Sequence, residues 1–358
     1  MNDKTQRIAT IDLLRALAVI LMVEGHTVHV FLGAELRSSE YALYNAWLWL
    51  RGFTAPLFMF TSGLIFTYLL FDENFSFRSE RFLKGIKRGF FLIAVGYLLR
   101  FPSFIPSKLL HISDEQIRTF ISVDVLHVIG AGVIFLASVS RAFARFAKRR
   151  GMFAVYFSLA LFSFLLGHFF TQENPDIALP PFLAAYFTYD YGSVFTLFPW
   201  LGYIFLGASL SVVMKKINAD KKLQAILFVS FAVAFLFSAI YSAVYGETYS
   251  LVIFQRSVFP VAVLLLISLL DMKVARSNGA IALGKNSLAI YVIHLVILYG
   301  SPASLGFYQL MPHSLSLSQT IIAVLLMEAI MFYIAILKEK NTFKKKFYGL
   351  RKIYAESK

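Results

Sequence analysis

The chain has 358 residues, of which 58% are hydrophobic and only 15% charged, with 38 Phe and a mean hydropathy of +0.70. A soluble domain of this size cannot bury so much apolar surface, so the composition excludes a soluble enzyme and indicates an all-α, polytopic membrane helical bundle. The net charge is +14, but the bases sit between apolar segments instead of forming one basic face, which argues against a nucleic-acid partner. With no cysteine, disulfides, thiolate metal sites and a cysteine nucleophile are excluded as well.

In chain order, the first membrane-length segment runs from Ile8 to Gly33 and holds Asp12, Arg15, Glu24, His26 and His29 in an otherwise apolar run. At about 100° per residue, Asp12, Arg15, His26 and His29 share one helix face and Glu24 points nearly opposite. Ionisable groups at membrane depth are costly, so they normally face a bundle interior or an aqueous cavity and serve a site. This stretch is too long for the apolar core of a signal peptide and has no small-residue cleavage site. Further helices of roughly 20 residues are expected over 45–71, 85–105, 119–140, 152–170, 193–214, 223–245, 255–271, 279–300 and 315–337. Arg51 enters the second, and Phe101-Pro102 and Pro106 stop the third. Asp124 and His127 lie one turn apart in the fourth. The fifth carries His168, read as interfacial or backbone-bonded, and the ninth carries Tyr291 and His294. Glu328 lies deep in the tenth, as a protonated acid or the partner of a base. The connections Phe101–Arg118 and Thr171–Gly192 are long enough for short interfacial helices. No linker or soluble domain interrupts the array, giving one transmembrane domain over 1–337 and a basic cytoplasmic tail over 338–358.

Charge orients these segments. Arg78, Arg81, Lys84, Lys87 and Arg88 lie around the second connection. Arg141, Arg145, Lys148, Arg149 and Arg150 occupy the fourth, Lys215, Lys216, Lys221 and Lys222 the sixth, and Lys273, Arg276 and Lys285 the eighth. The odd connections carry few bases, Arg37, Lys108, Arg118 and Arg256, beside acids such as Glu35, Glu40, Asp190 and Glu247. This alternation is the positive-inside pattern and places both termini in the cytoplasm, with ten helices.

On that topology Asp12 and Arg15 lie near the inner face, and His26, His29, Arg51, Asp124, His127 and His294 share an outer layer. A histidine suits proton transfer because it titrates near neutrality, and a carboxylate beside it fixes its tautomer. Arg51 suits an oxyanion or carboxylate in a dry site. The plainer roles are that Asp124 and His127 clamp helices and that Arg15 neutralises Asp12 or reaches the inner surface. His26-x-x-His29 lacks the further ligands a metal site needs, so no metal is expected. No Walker loop, dinucleotide fingerprint or Gly-x-Ser-x-Gly elbow is present.

Several segments together resemble the transmembrane acyltransferase superfamily, which includes the bacterial membrane acyltransferase-3 proteins and relatives of heparan-α-glucosaminide N-acetyltransferase. They are Ile11-Asp12-Leu13-Leu14-Arg15-Ala16-Leu17-Ala18 leading to His26, and Ala55-Pro56-Leu57-Phe58-Met59-Phe60-Thr61-Ser62-Gly63. Asp124-Val125-Leu126-His127-Val128-Ile129-Gly130, Phe198-Pro199-Trp200-Leu201-Gly202-Tyr203 and Gly284-Lys285-Asn286-Ser287-Leu288, leading to Tyr291 and His294, follow in order. The heparan-type enzymes carry Asn where His26 stands and an active histidine in the following outer loop. Ala34–Asn45 has none, so the resemblance assigns that role to His26.

The resemblance implies transfer of an acyl group, usually acetyl, from cytoplasmic acyl-CoA to a hydroxyl or amine of an extracytoplasmic sugar or polysaccharide. It implies a catalytic set of His26, Arg51, Asp124, His127 and His294, with His26 as base or acyl carrier. Arg15, His29, Glu24, Tyr291 and Trp200 are expected to contact substrate. Arg15, Arg81, Lys84, Lys87 and Arg88 would receive the phosphates of acetyl-CoA. The implied setting is membrane lipid, in a bacterial inner membrane. The competing reading is a proton-coupled secondary transporter or lipid-linked sugar flippase, which also uses intramembrane His, Asp and Arg. Against it stand the missing internal repeat and the lack of obvious broken-helix pairs, although Pro56, Pro199 and Pro260 could each break a helix.

Overall fold

The computed structural model describes residues 3–72, 74–103, 112–173, 175, 178–270 and 277–356. Pro106, Lys108, Lys273 and Arg276, used above to place helix ends and charge, lie outside them. The main helices are α1 Asp3–Phe31, α2 Ala42–Arg51, α3 Thr54–Leu70, α4 Ser79–Leu99, α5 Asp114–Ile121, α6 Val125–Phe143 and α7 Arg149–Gln172. They continue with α8 Trp200–Ala219, α9 Lys221–Tyr245, α10 Tyr249–Leu269, α11 Asn278–Lys285, α12 Ser287–Tyr299 and α13 Leu317–Glu356. Among the described residues the only β pairings are the isolated bridges Leu32–Leu315 and Phe71–Phe77.

All ten predicted segments coincide with helix, but not all as spans. Among the described residues, six stretches are long and apolar enough to cross a membrane: Ala42–Leu70, Asp114–Phe143, Arg149–Thr171, Lys221–Tyr245, Tyr249–Leu269 and Leu317–Lys340. A seventh is added if α11 and α12, bent by 71° at their junction, count as one. Ten spans are expected from the sequence; length and hydropathy pick out six or seven among the described residues, with α1, α4 and α8 outside that set. The α11–α12 break also supplies the broken helix that the sequence had not revealed. The prolines break less than expected: Pro260 lies inside α10, Pro56 in the first turn of α3, and Pro199 just before α8. Of the interfacial helices foreseen, α5 lies in the Phe101–Arg118 stretch and beyond, and a single turn, Pro181–Ala184, lies in the second.

The chain divides into two compact units. The first comprises residues 1–51, 270–300 and 304–358. Here α1 packs against α11, α12 and α13, burying Leu14, Ala18, Val19 and Val23 with Ile290, Leu298 and Met331. The break between α11 and α12 is held by Asn286, whose Nδ2 donates to the Ala282 carbonyl at 2.9 Å and the Ala335 carbonyl at 3.4 Å. Backbone groups freed at a helix break inside an apolar bundle need such partners. Lys285 Nζ meets Glu339 Oε1 at 3.0 Å beside it.

The second unit comprises residues 52–269 and 301–303. Its centre is the packing of α8 on α3 and on α7, with α4 against α6 and α9 against α10. The α3–α8 crossing is close because a Cβ at Gly63 would overlap the Ile204 carbonyl and one at Gly207 would overlap that of Phe60. Small residues let backbones approach where lipid offers no hydrophobic drive to association. Interior polar groups are paired across helices: Tyr156 and Ser140 hydroxyls at 2.6 Å, Gln224 Nε2 to Ser268 Oγ at 2.6 Å, and Gln255 Nε2 to the Ser238 carbonyl at 2.9 Å.

Candidate active site

In the first unit α1 brings His26 against His294 of α12, ring centroids 5.2 Å apart and edge to face. His294 is 0% exposed. Its Nδ1 lies 2.8 Å from the Ile290 carbonyl, which can only accept, so Nδ1 carries the hydrogen. Nε2 then holds a lone pair, and it is buried with no hydrogen-bond partner among the described residues. A neutral imidazole fixed in this tautomer is a preorganised proton acceptor. Tyr299 lies edge-on to His26 at 5.6 Å, and Tyr291, one turn before His294, lies 5.7 Å from its ring.

His29 continues the cluster along α1. Its ring lies 6.3 Å from Tyr299, 6.3 Å from Tyr308 and 6.1 Å from His313. Arg37 folds back over the end of α1, with Nε donating to the Leu32 carbonyl at 2.9 Å and its terminal nitrogen to the carbonyls of Val28 and His29. It therefore acts as a C-terminal cap, where a cation is favourable. Burial lowers the affinity of Arg37 for its proton, and burial together with the Arg37 charge lowers that of His313. Arg51 packs along α1 at Gly25, and its guanidinium stands 5.4 Å from the Trp47 ring centroid. Trp47 Nε1 in turn donates to Glu24 Oε1 at 2.7 Å. Glu24 thus serves the Trp47–Arg51 stack, on the side of α1 away from His26, and its field reaches Glu328 of α13.

Arg15 meets Asp12 at 3.6 Å and donates to Ser287 Oγ, the first residue of α12, at 2.8 Å. It therefore both neutralises Asp12 and ties α1 to the helix break.

Asp124 and His127 belong to the second unit. Asp124 is the N-cap of α6: its Oδ1 accepts the Leu126 N–H at 2.9 Å, and its own N–H donates to His127 Nδ1 at 3.1 Å. Arg100 Nε donates to Asp124 Oδ2 at 3.2 Å and its other nitrogen to Ser122 Oγ. Tyr97 covers the fully buried His127 ring at 4.3 Å and is bonded to Tyr186, whose hydroxyl is held protonated mainly by burial. The pair thus closes a capping box in which histidine stands where Glu or Gln is usual. His127→Gln, which preserves the box, should cost under about 1 kcal/mol of stability, whereas Asp124→Ala, which strands Arg100, should cost about 3 kcal/mol. Thermal unfolding in one detergent, read by circular dichroism, checks the ratio.

Trp200 begins α8, with its ring against Phe195 at 4.6 Å and Tyr203 at 5.7 Å. Its buried Nε1 has no partner among the described residues. Arg81, Lys84, Lys87 and Arg88 lie on α4; the last three are exposed, and Arg88 stands over Phe91 at 5.5 Å. His168 packs on Tyr249 at 5.0 Å. The structure therefore groups His26, His29, His294, Tyr291 and Arg51 in the first unit, and a separate Arg100–Asp124–His127 cluster in the second.

Sequence reasoning missed Tyr299, Tyr308, His313, Arg37 and Trp47 in the first unit, and Arg100, Tyr97 and Tyr186 in the second. Arg100 could have been found, as a base at a helix end beside a proline stop. The others come from loops and neighbouring helices whose approach no local pattern encodes.

Residues 7–249 match the family model described as heparan-alpha-glucosaminide N-acetyltransferase, catalytic. No curated protein matches the chain.

Proposed function

The chain belongs to the heparan-alpha-glucosaminide N-acetyltransferase catalytic-domain family, and on that premise we propose that it is a membrane acetyltransferase. It moves the acetyl group of cytoplasmic acetyl-CoA to a hydroxyl or amine of an extracytoplasmic sugar, with both termini in the cytoplasm. The observation that carries this reading is the contact of half-buried His26 with fully buried His294, whose Nε2 has no partner among the described residues. The acceptor must lose a proton as it attacks the thioester carbonyl, and a fixed neutral imidazole takes it. Arg51 supplies positive charge to the same helix, suited to the oxyanion that forms. Arg15, beside the α11–α12 break, offers a cation for the donor's phosphates.

Titration of the detergent-purified protein with acetyl-CoA by calorimetry tests the donor. Saturable heat that free ATP does not reproduce is expected; a flat titration of folded protein rejects the reading. The 71° break between α11 and α12 favours one alternative, a proton-coupled transporter or flippase, since transporters build midplane sites from broken helices. Proton-coupled sugar uptake into vesicles would then be found without any donor binding.

A further inference from the structure

The family match ends at residue 249, yet His294, Tyr299, Tyr308 and His313 all follow it. Tyr299 joins the two histidines of α1, contacting His26 at 5.6 Å and His29 at 6.3 Å. Beyond it, Tyr308 lies nearly parallel to His29, at 10°, and His313 stands edge-on to both. Exposure rises along this wall from 0% at His294 to 39% at Tyr308. The segment carrying Tyr308 and His313 is tied down on both sides. His313 N–H donates to the Val30 carbonyl at 2.8 Å, Leu315 N–H to that of Phe31 at 2.9 Å, and Gly33 N–H to that of Leu315 at 2.9 Å. Gln309 Nε2 donates to the Tyr299 carbonyl at 2.8 Å. An aromatic wall held in place before binding loses little entropy when a ring settles on it.

Two guanidinium groups lie beside this wall, Arg37 on the His29 carbonyl and Arg51 against Gly25, and the nearby carboxylate of Glu35 sits at Gly33 without an ion pair to Arg37 among the described residues. The formal charges acting on His29 and Tyr299 are those of Arg51 and Arg37, and His313 feels Arg37. Glu24 answers Arg51 through Trp47, on the other side of α1, which leaves Arg37 answered only by neutral carbonyls among the described residues. A protonated amino sugar would meet two guanidinium groups here, whereas a carboxylate or phosphate would be drawn in.

Resting on the acetyltransferase reading above, we propose that residues 304–316, with His29, Tyr299, Arg37 and Arg51, select an anionic pyranose and present its hydroxyl to the His26–His294 pair. In the transfer the thioester C–S bond breaks and an ester C–O bond forms. The hydroxyl proton passes to an imidazole nitrogen and leaves on the CoA sulfur as the thiol.

The test uses the full chain in nanodiscs with radiolabelled acetyl-CoA and four acceptors: methyl glucuronide, glucose 6-phosphate, methyl glucoside and glucosamine. The two anions should exceed glucosamine at least tenfold in kcat/KM, with the neutral glucoside between. Carboxylate and phosphate arms show which anion is preferred. Tyr308→Ala should raise KM for the preferred anion at least tenfold with kcat nearly unchanged. Glucosamine equal to or better than the anions overturns the inference and leaves the acetyltransferase reading standing. Transfer to none of the four also overturns it, and parallel donor calorimetry then decides whether the acetyltransferase reading falls too. The acceptor ranking is made on the unsubstituted chain, so it holds even if Tyr308→Ala does not fold.

Discussion

Replacing His294 by alanine should lower acetyl transfer about a thousandfold, within the range general-base removal produces, while changing acetyl-CoA binding less than about twofold. The size follows from the geometry. His294 is fully buried and its Nδ1 is committed to Ile290, so Nε2 is the nitrogen available for proton transfer, and no donor among the described residues competes for it. His26→Ala should cost a similar factor. The double variant should be little worse than either single one, because groups that act as a unit are not additive. Steady-state rates of thiol release, with donor calorimetry on the same samples, check this. A loss confined to donor binding would place His294 outside the chemistry. A variant that binds donor normally and keeps full turnover would do the same.

The largest stability effect is expected at the α3–α8 crossing. A Cβ at Gly63 would overlap the backbone carbonyl of Ile204, and one at Gly207 that of Phe60, so neither clash can be relieved by turning a side chain. Gly63→Val should therefore cost about 3 kcal/mol or more and lower the yield of folded protein, as overpacking does. Gly151→Ala in α7 is the control. Its nearest neighbour is the Ala147 Cβ at 3.1 Å, a tight contact but no backbone overlap, and alanine favours helix by about 1 kcal/mol. Fluorescence-detected gel filtration after stepwise heating ranks the two variants. A Gly63→Val protein as heat-resistant as Gly151→Ala would show that the helices do not cross this closely.

The helical architecture was legible because hydropathy sets segment length, and all ten predicted segments coincide with helix. The count of spans differs between the two measures: charge alternation gives ten, whereas length and hydropathy pick out six or seven among the described residues, because charge alternation does not weigh apolar length. The break at Asn286 was invisible, since it arises from side-chain bonds to Ala282 and Ala335 and involves no proline. At the site, membrane depth put His26 and His294 in one layer without predicting contact, and their rings stand 5.2 Å apart in the structure. Depth alone could not group residues further. It put Asp124 and His127 in the same layer as His26, whereas their contacts are a capping box and Arg100 within the second unit. The aromatic wall was missed for a related reason. Tyr308 and His313 reach His29 through a loop folded back on α1, and loop return paths leave no periodic trace.

The most direct measurement is joint quantification of free CoA thiol and acetylated sugar, by mass spectrometry, from purified protein given acetyl-CoA and the acceptor panel. The unsubstituted chain should yield thiol and acetyl ester or amide in equal amounts, and His26→Ala/His294→Ala should yield neither above the protein-free rate. Equal yields from the unsubstituted chain and the double variant would contradict a catalytic histidine pair.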